Sequence, residues 1–336
     1  MLRTNLRKLA LGLALAAISA YGQSKPSFEV ATVKPAVPLD QAKMVAAIQG
    51  GKMPYGAEID NRRAEYKYLD LKSLISYAYG VKPFQITGPD WMATTRFDIL
   101  AKMPDGATKD DAPKMLQSLL EERFKLVTHR SSAEHPVLAL VVGKGGPKLK
   151  ASTDTPVAID ESQPLKQGEM KMDGPDGPIR VKVDMATGSS VIDMGLKGKM
   201  SYKVNPGTMS MRLEFSMTTM SGFADMLTQM FTLLGGATGG RQVVDMTEVK
   251  GNYDASLELS LADILALVRS QGMDIPAGVG APGGPGRGAG VASDPSGGGG
   301  ATLQDAVQSM GLKLESRKAV VDQFIVDHVE KTPTEN

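Results

Sequence analysis

Apolar and polar residues alternate through Phe28-Glu-Val-Ala-Thr-Val-Lys34, a β-branched run that predicts a strand closed by Pro35. A second alternating stretch, through Tyr66 and Tyr68, runs into Leu71, Leu74, Ile75, Ala78 and Tyr79. Their i, i+3, i+4, i+7, i+8 spacing predicts a helix capped by Asp70 and stopped by Gly80. Phe84 to Ile86 predicts a short strand, Gly88 to Trp91 a loop, and Arg96 to Lys102 a further strand. A second helix is expected from Asp110 and Asp111. Pro113 sits in its first turn, and Met115, Leu116, Leu119 and Leu120 form its buried face. Phe124–His129 and Val137–Val142 then read as a hairpin. The first unit is thus β-α-β-β-α-β-β and ends near Lys150. Residues 38–60 are weakly patterned, and 151–175 read as a linker or long loop.

The same order returns later. Arg63-Ala-Glu-Tyr-Lys-Tyr-Leu-Asp-Leu-Lys-Ser-Leu74 can be set against Arg212-Leu-Glu-Phe-Ser-Met-Thr-Thr-Met-Ser-Gly-Phe223, a strand pattern feeding a helix pattern in both. Met209, Met211, Leu213, Phe215 and Met217 follow the strand period. Met220, Phe223, Met226, Leu227 and Met230 follow the helical one. Gln242–Val244 and Tyr253–Leu259 are strands around a loop from Asp245 to Gly251. Phe97-Asp98 and Tyr253-Asp254 fall at equivalent points, and Arg123-Phe-Lys-Leu126 is set opposite Gly311-Leu-Lys-Leu314. Thr302-Leu-Gln-Asp305 opens a helix that Gly311 ends, and Leu312–Glu315 with Phe324–Val329 form a closing hairpin. Arg180–Met185 and Met200–Val204 read as strands without a counterpart in the first unit. The expected fold is α+β: two tandem βαββαββ-type units, each a small sheet with helices on one face. The boundaries are 23–150 for the first unit and 176–336 for the second, which carries a flexible Gly/Pro-rich insertion over about 272–300.

Residues 1–22 read as a signal peptide. Arg3, Arg7 and Lys8 precede a short apolar run, and Ala20-Tyr21-Gly22 suits cleavage before Gln23, so the chain is expected to be exported, to the periplasm or beyond the cell. Nothing later is apolar for long enough to be a membrane-spanning helix. The chain has no cysteine, which excludes disulfides, thiol catalysis and thiolate metal sites. Without Arg3, Arg7 and Lys8, the 38 basic residues become 35 against 37 acidic ones. That near-neutral balance, with no polybasic stripe, gives no footprint for nucleic acid.

Six stretches carry a family resemblance: Phe28-Glu-Val-Ala-Thr-Val-Lys-Pro35, Gly88-Pro-Asp-Trp91 with Phe97-Asp98, Leu119-Leu-Glu-Glu-Arg-Phe-Lys-Leu126, Val243-Val-Asp-Met-Thr-Glu-Val-Lys-Gly-Asn-Tyr-Asp254, Gly311-Leu-Lys-Leu-Glu315 and Val326-Asp-His-Val-Glu330. Together they resemble a family of soil-associated secreted proteins, of unknown function and abundant in acidobacterial genomes. The resemblance implies export and the two-part layout, and it carries over no catalytic residue. Glu248 departs from it, since the family pattern places Gly after Asp-x-Thr. If that Gly serves a positive φ, this loop must be built differently. Single units are also similar, more weakly, to the small periplasmic modules of secretins and TonB-dependent receptors, which contact other proteins.

Candidate chemistry is sparse. His129 and His135 flank the expected hairpin turn beside Glu134 and could approach each other, with His328 in the corresponding last strand; exposed hairpin histidines explain them more simply than zinc. The methionines could offer thioethers to copper, but their strand and helix periods fit core filling. Ser73 and Ser76 lie in no nucleophile motif and are expected on the polar face of their helix. Asp98 and Asp254 are the most symmetric carboxylates and are expected to point outward. The glycines from Gly280 to Gly300 lack the Lys-Ser/Thr of a phosphate loop. Trp91 suits either a loop anchor or a glycan contact. No catalytic, cofactor or metal residue is assigned. The expected role is an exported protein that binds another envelope protein through exposed strand edges. The candidate edges are the Phe28 strand and each closing hairpin, guarded by Lys125, Arg130 and Lys313. The rival is an envelope-directed hydrolase, or a small-ligand or glycan binder, using a cleft between the units.

Overall fold

The computed structural model describes residues 25–38, 40–184, 186–205, 207–208, 210–233, 241–260 and 299–334. The signal-like segment, Met209 and almost all of the Gly/Pro-rich insertion lie outside them. The first half supplies β1 (Val30–Pro35), α1 (Gln41–Gln49), β2 (Gly56–Ile59), β3 (Arg63–Asp70), α2 (Leu71–Tyr79), β4 (Ile86–Thr87), β5 (Arg96–Lys102), α3 (Ala112–Arg123) and β6 (Val127–Val142). A middle section supplies β7 (Lys150–Ala151), β8 (Glu169–Gly174), β9 (Gly177–Asp184), β10 (Ser189–Asp193) and β11 (Lys199–Asn205). The second half supplies β12 (Ser210–Thr218), α4 (Met220–Leu233), β13 (Val243–Asp245), β14 (Tyr253–Ser260), α5 (Gly299–Ser309) and β15 (Leu312–His328). The fold is α+β.

The expectation of two small, separate sheets is corrected. Eleven strands make one antiparallel sheet, ordered β1-β5-β3-β2-β8-β9-β10-β11-β12-β14-β7, and four make a second, ordered β13-β6-β15-β4. The meander β8 to β11 joins the halves, so part of the expected linker is strand. Its seam with the first half is held by Asp173. The Asp173 carboxylate accepts the Ile59 N–H at 2.8 Å, and its carbonyl accepts the Tyr77 hydroxyl at 2.7 Å.

The local signals act as their chemistry dictates. Asp70 accepts the Ser73 N–H at 2.8 Å to open α2, and Gly80 closes it at φ 62°. In the weakly patterned 38–60 stretch, α1 is capped by Asp40, which accepts the Lys43 N–H at 2.7 Å. None of Ala42–Gln49 is fully buried; Met44, Val45, Ala47 and Ile48 share a half-buried face, so the apolar stripe of α1 is short and weak.

The two closing hairpins do not form. Each pair of expected strands is one long strand, and β6 and β15 pair antiparallel from Leu312↔Val142 to His328↔Val127. No Gly, Pro, Asn or Asp interrupts Arg130–His135. Pro136 is tolerated because the N–H groups of its register face away from β15, as Leu138 shows by donating to the Gln242 carbonyl. The halves therefore exchange strand ends. Phe324 and Val326 of β15 enter the core of the first half, with Tyr66, Phe97, Leu116 and Phe124. Leu138 and Leu140 of β6 enter the core of the second half, with Phe215, Phe223, Leu257 and Leu303.

Two bulges match across the halves. The β3–β5 register slips between Tyr66 and Leu69, and the β12–β14 register between Phe215 and Thr218. Tyr68 and Met217 occupy these bulges at φ 52° and 59°. Each bulge turns its strand directly into a helix. The helix exits match too, with one correction: Lys125 (φ 52°) and Gly311 (φ 72°) share the left-handed conformation, so Leu126 corresponds to Leu312, two residues from the alignment expected.

Candidate interaction surfaces

Most residues that could carry chemistry have local structural partners; the buried Nε2 of His135 has none among the described residues. Asp98 Oδ1 accepts the N–H of the bulge residue Tyr68 at 2.8 Å, and Asp254 Oδ1 accepts that of Met217 at 3.2 Å. A bulge turns one N–H out of the ladder, and a carboxylate on the next strand satisfies it. These aspartates point outward as expected, but they anchor the bulges. Beside the first bulge, Arg96 pairs with Asp70 and lies over the Tyr68 ring at 5.7 Å.

His129 and His135 do not approach each other. They stand six residues apart on the continuous strand β6, roughly 20 Å at the rise of a strand. His129 Nδ1 lies 2.8 Å from Asp327, and Glu134 lies 3.6 Å from the Lys318 ammonium. His328 is exposed at the end of β15. Among the described residues, no group of three or more His, Asp or Glu could hold a metal ion. Ser76 is not on a polar face: it is buried, and its hydroxyl donates to the Val81 carbonyl at 2.5 Å. Trp91 packs half-buried on the first core from the 3-10 turn Asp90–Ala93. Met217 and Met220 are buried, and Met211, Met226 and Met230 pack on the second core.

The concave features are shallow and open. One hollow of about 380 Å³ lies on the outer face of β1, β3 and β5, lined by Thr32, Lys34, Glu65, Lys67, Tyr68 and Leu100. Lys67 is held there by Glu65 at 3.3 Å and Glu58 at 3.5 Å. A second, of about 310 Å³, lies beside Met217, where Lys199 pairs with Asp193 at 2.9 Å. Asp98 also lines the first hollow, but neither hollow is lined by His129, His135 or Glu134. Of the strongly shifted groups, Tyr66 lines the first hollow and Tyr77 lines neither. Burial raises Tyr66 and Tyr77 well above the ordinary tyrosine range, with the charge of Asp173 adding to the effect.

The strand edges are the other feature. β1 ends the large sheet. Ala36 donates to the Arg96 carbonyl at 2.9 Å, so the even-numbered residues of β1 face β5, and Ala31 and Val33 turn their N–H and C=O groups outward. Pro35, having no N–H, blunts this edge. The expected hairpin edges are corrected in part: β6 and β15 pair with each other inside the small sheet, and among the described residues β13 covers only Leu138–Leu140 of β6 and β4 only Phe324–Ile325 of β15. Nor do Lys125, Arg130 and Lys313 guard edges. Lys125 donates to the Glu122 carbonyl at 2.9 Å, Arg130 lies over the Phe324 ring at 5.5 Å, and Lys313 pairs with Glu315 at 3.2 Å. At the far end, the two-residue β7 covers only the start of β14. Sequence reasoning missed this edge because β14 reads like any half-buried strand.

Among the described residues, no helix is long and apolar enough to cross a membrane. No curated protein and no solved structure matches the chain significantly. A family model for a protein of unknown function, DUF3738, matches residues 72–329 and so leaves the Phe28–Pro35 motif outside. The match spans α2 to the end of β15, and the chain belongs to the DUF3738 family.

Proposed function

We propose that this is an exported, non-enzymatic binding protein that contacts another envelope protein through its strand edges. One observation carries the reading: among the described residues the large sheet ends in incompletely paired strands, while Asp98, His129 and Glu134 point to separate places and are held in local contacts. An enzyme would bring such groups into one concave site. The signal-like N-terminus supports export to the periplasm or the outside. The matched bulges, helix exits and exchanged strands support reading the halves as two tandem βαββαββ copies, and the likeness to secretin-type modules accords with a contact role.

The test is a crosslinking pull-down from envelope extract with the whole chain from Gln23 onward as bait. A specific protein partner supports binding. Clean lanes with a folded bait would overturn it and favour the rival hydrolase or small-ligand reading, for which the hollow beside Tyr68 is the place to look by ligand thermal-shift screening.

A further inference from the structure

The two ends of the large sheet are built to one register and filled differently. In the first half, Ala36 N–H donates to the Arg96 carbonyl at 2.9 Å, and β1 continues along β5 from Pro35↔Phe97 to Val30↔Lys102. In the second half, Ser152 N–H donates to the Asn252 carbonyl at 2.9 Å, and β7 continues with Ala151↔Tyr253 and Lys150↔Asp254. Asn252 stands where Arg96 stands, and Asp254 where Asp98 stands. There the likeness stops. The chain leaves the sheet at Lys148, whose N–H donates to the Met310 carbonyl at 2.8 Å. Ser256 and Glu258 occupy the places of Leu100 and Lys102, and their N–H and C=O groups face the side that β1 covers in the first half. Among the described residues they have no backbone partner on that side.

The missing strand has a definable chemistry. In the first half, Ala31 and Val33, opposite Ala101 and Ile99, extend the core, while Thr32 and Lys34 face outward. In the second half, Leu149 packs on the core in the place of Val33. A further strand would lay apolar side chains opposite Leu257 and Leu259, both buried in that core. Opposite Ser256 and Glu258 it would present polar ones. The sign of charge is also set. Lys102 pairs with Glu29 beside β1 at 2.8 Å, whereas its counterpart Glu258 is acidic and bonds only the Ser210 hydroxyl, at 2.9 Å, among the described residues.

We propose that the outer edge of β14 at Ser256 and Glu258 accepts an antiparallel extended segment of a partner protein, apolar at alternate positions with a basic residue opposite Glu258. This rests on the binding reading above and assigns it a surface. Backbone pairing supplies the attraction, and the two apolar positions and the charge supply the selectivity.

The probe is the acetylated and amidated peptide Thr-Val-Lys-Val-Thr, which sets its Lys opposite Glu258. Hydrogen exchange is followed on the whole chain with and without it. Expected are fast exchange at the Ser256 and Glu258 amides in the protein alone, protection on adding peptide, and at least tenfold weaker binding when Glu replaces the peptide's Lys. Glu258→Lys should invert that preference. Glu258→Pro, which removes an outward N–H but no bond to β12, should abolish protection at unchanged circular dichroism. Three results would overturn the proposal: slow exchange in the protein alone, meaning the chain's own residues cover the edge; loss of protection at Thr32 and Lys34 on adding peptide, meaning displaced β1; or equal binding of both peptides. A pull-down partner retained equally by Glu258→Pro would keep the binding reading and remove this edge from it.

Discussion

Glu248, the residue that departs from the resemblance given above, sits at φ 59°. The loop is not rebuilt around the missing glycine; the glutamate adopts the left-handed conformation itself. That conformation costs an L-residue about 1–2 kcal/mol, and glycine would return part of the gain through a looser unfolded chain. Glu248→Gly should therefore raise stability by about 0.5–1 kcal/mol, read as a higher urea midpoint at unchanged slope; a lower midpoint would show that the side chain contributes more than its strain. Tyr66 and Tyr77 set an alkaline limit. Both are raised above the ordinary value of 10.0, mainly by burial, so they hold their protons in the folded state at a pH where the unfolded chain has lost them. Their contribution is complete below about pH 10 and is lost as pH rises beyond it. Absorbance of tyrosinate at 295 nm should rise in two phases, the second coinciding with loss of circular dichroism; a single smooth titration of all tyrosines before unfolding would contradict this. The residue scale also explains why Asp98 and Asp254 misled. Their symmetry was legible, but the bulge that needs a carboxylate arises only when β3 meets β5 and β12 meets β14.

At the scale of elements, caps and periods were legible and pairings were not. Asp70, Gly80 and Pro113 mark helix ends because each acts within a few residues of itself. The site behaved differently: the histidine pair was inferred from a turn that the chain does not make. Gly311 is the element-level test. At φ 72° it follows α5, and a Cβ there would stand 2.1 Å from the Gly146 carbonyl oxygen. Gly311→Ala combines an unfavourable φ with a backbone clash and should cost more than about 2 kcal/mol. At Gly80, where a Cβ meets nothing, Ala should cost only the conformational term of about 1 kcal/mol. Equal losses in parallel thermal melts would remove the packing argument.

For the whole molecule, the exchange of strand ends has the largest consequence. Phe324 belongs to the core of the first half although it lies some two hundred residues downstream of that half's helices. Phe324→Ala should cost about 3–5 kcal/mol. A fragment of residues 23–150 would lack Phe324 and Val326 and expose Leu138 and Leu140, so it should not give dispersed NMR signals alone. A well-folded fragment would argue that each half closes by itself.

The sequence by itself determined the strand and helix periods, most caps, the glycine after each of two helices and the likeness of the halves, because these depend on interactions within one turn or one strand. Tertiary structure alone decided that β6 and β15 run straight and pair with each other, that the meander fuses two sheets into one, and that, among the described residues, only β7 pairs with the outer side of β14. The reason is physical: a β-strand's sequence fixes which face is apolar, whereas its hydrogen-bond partner is chosen by backbone groups that every residue carries alike.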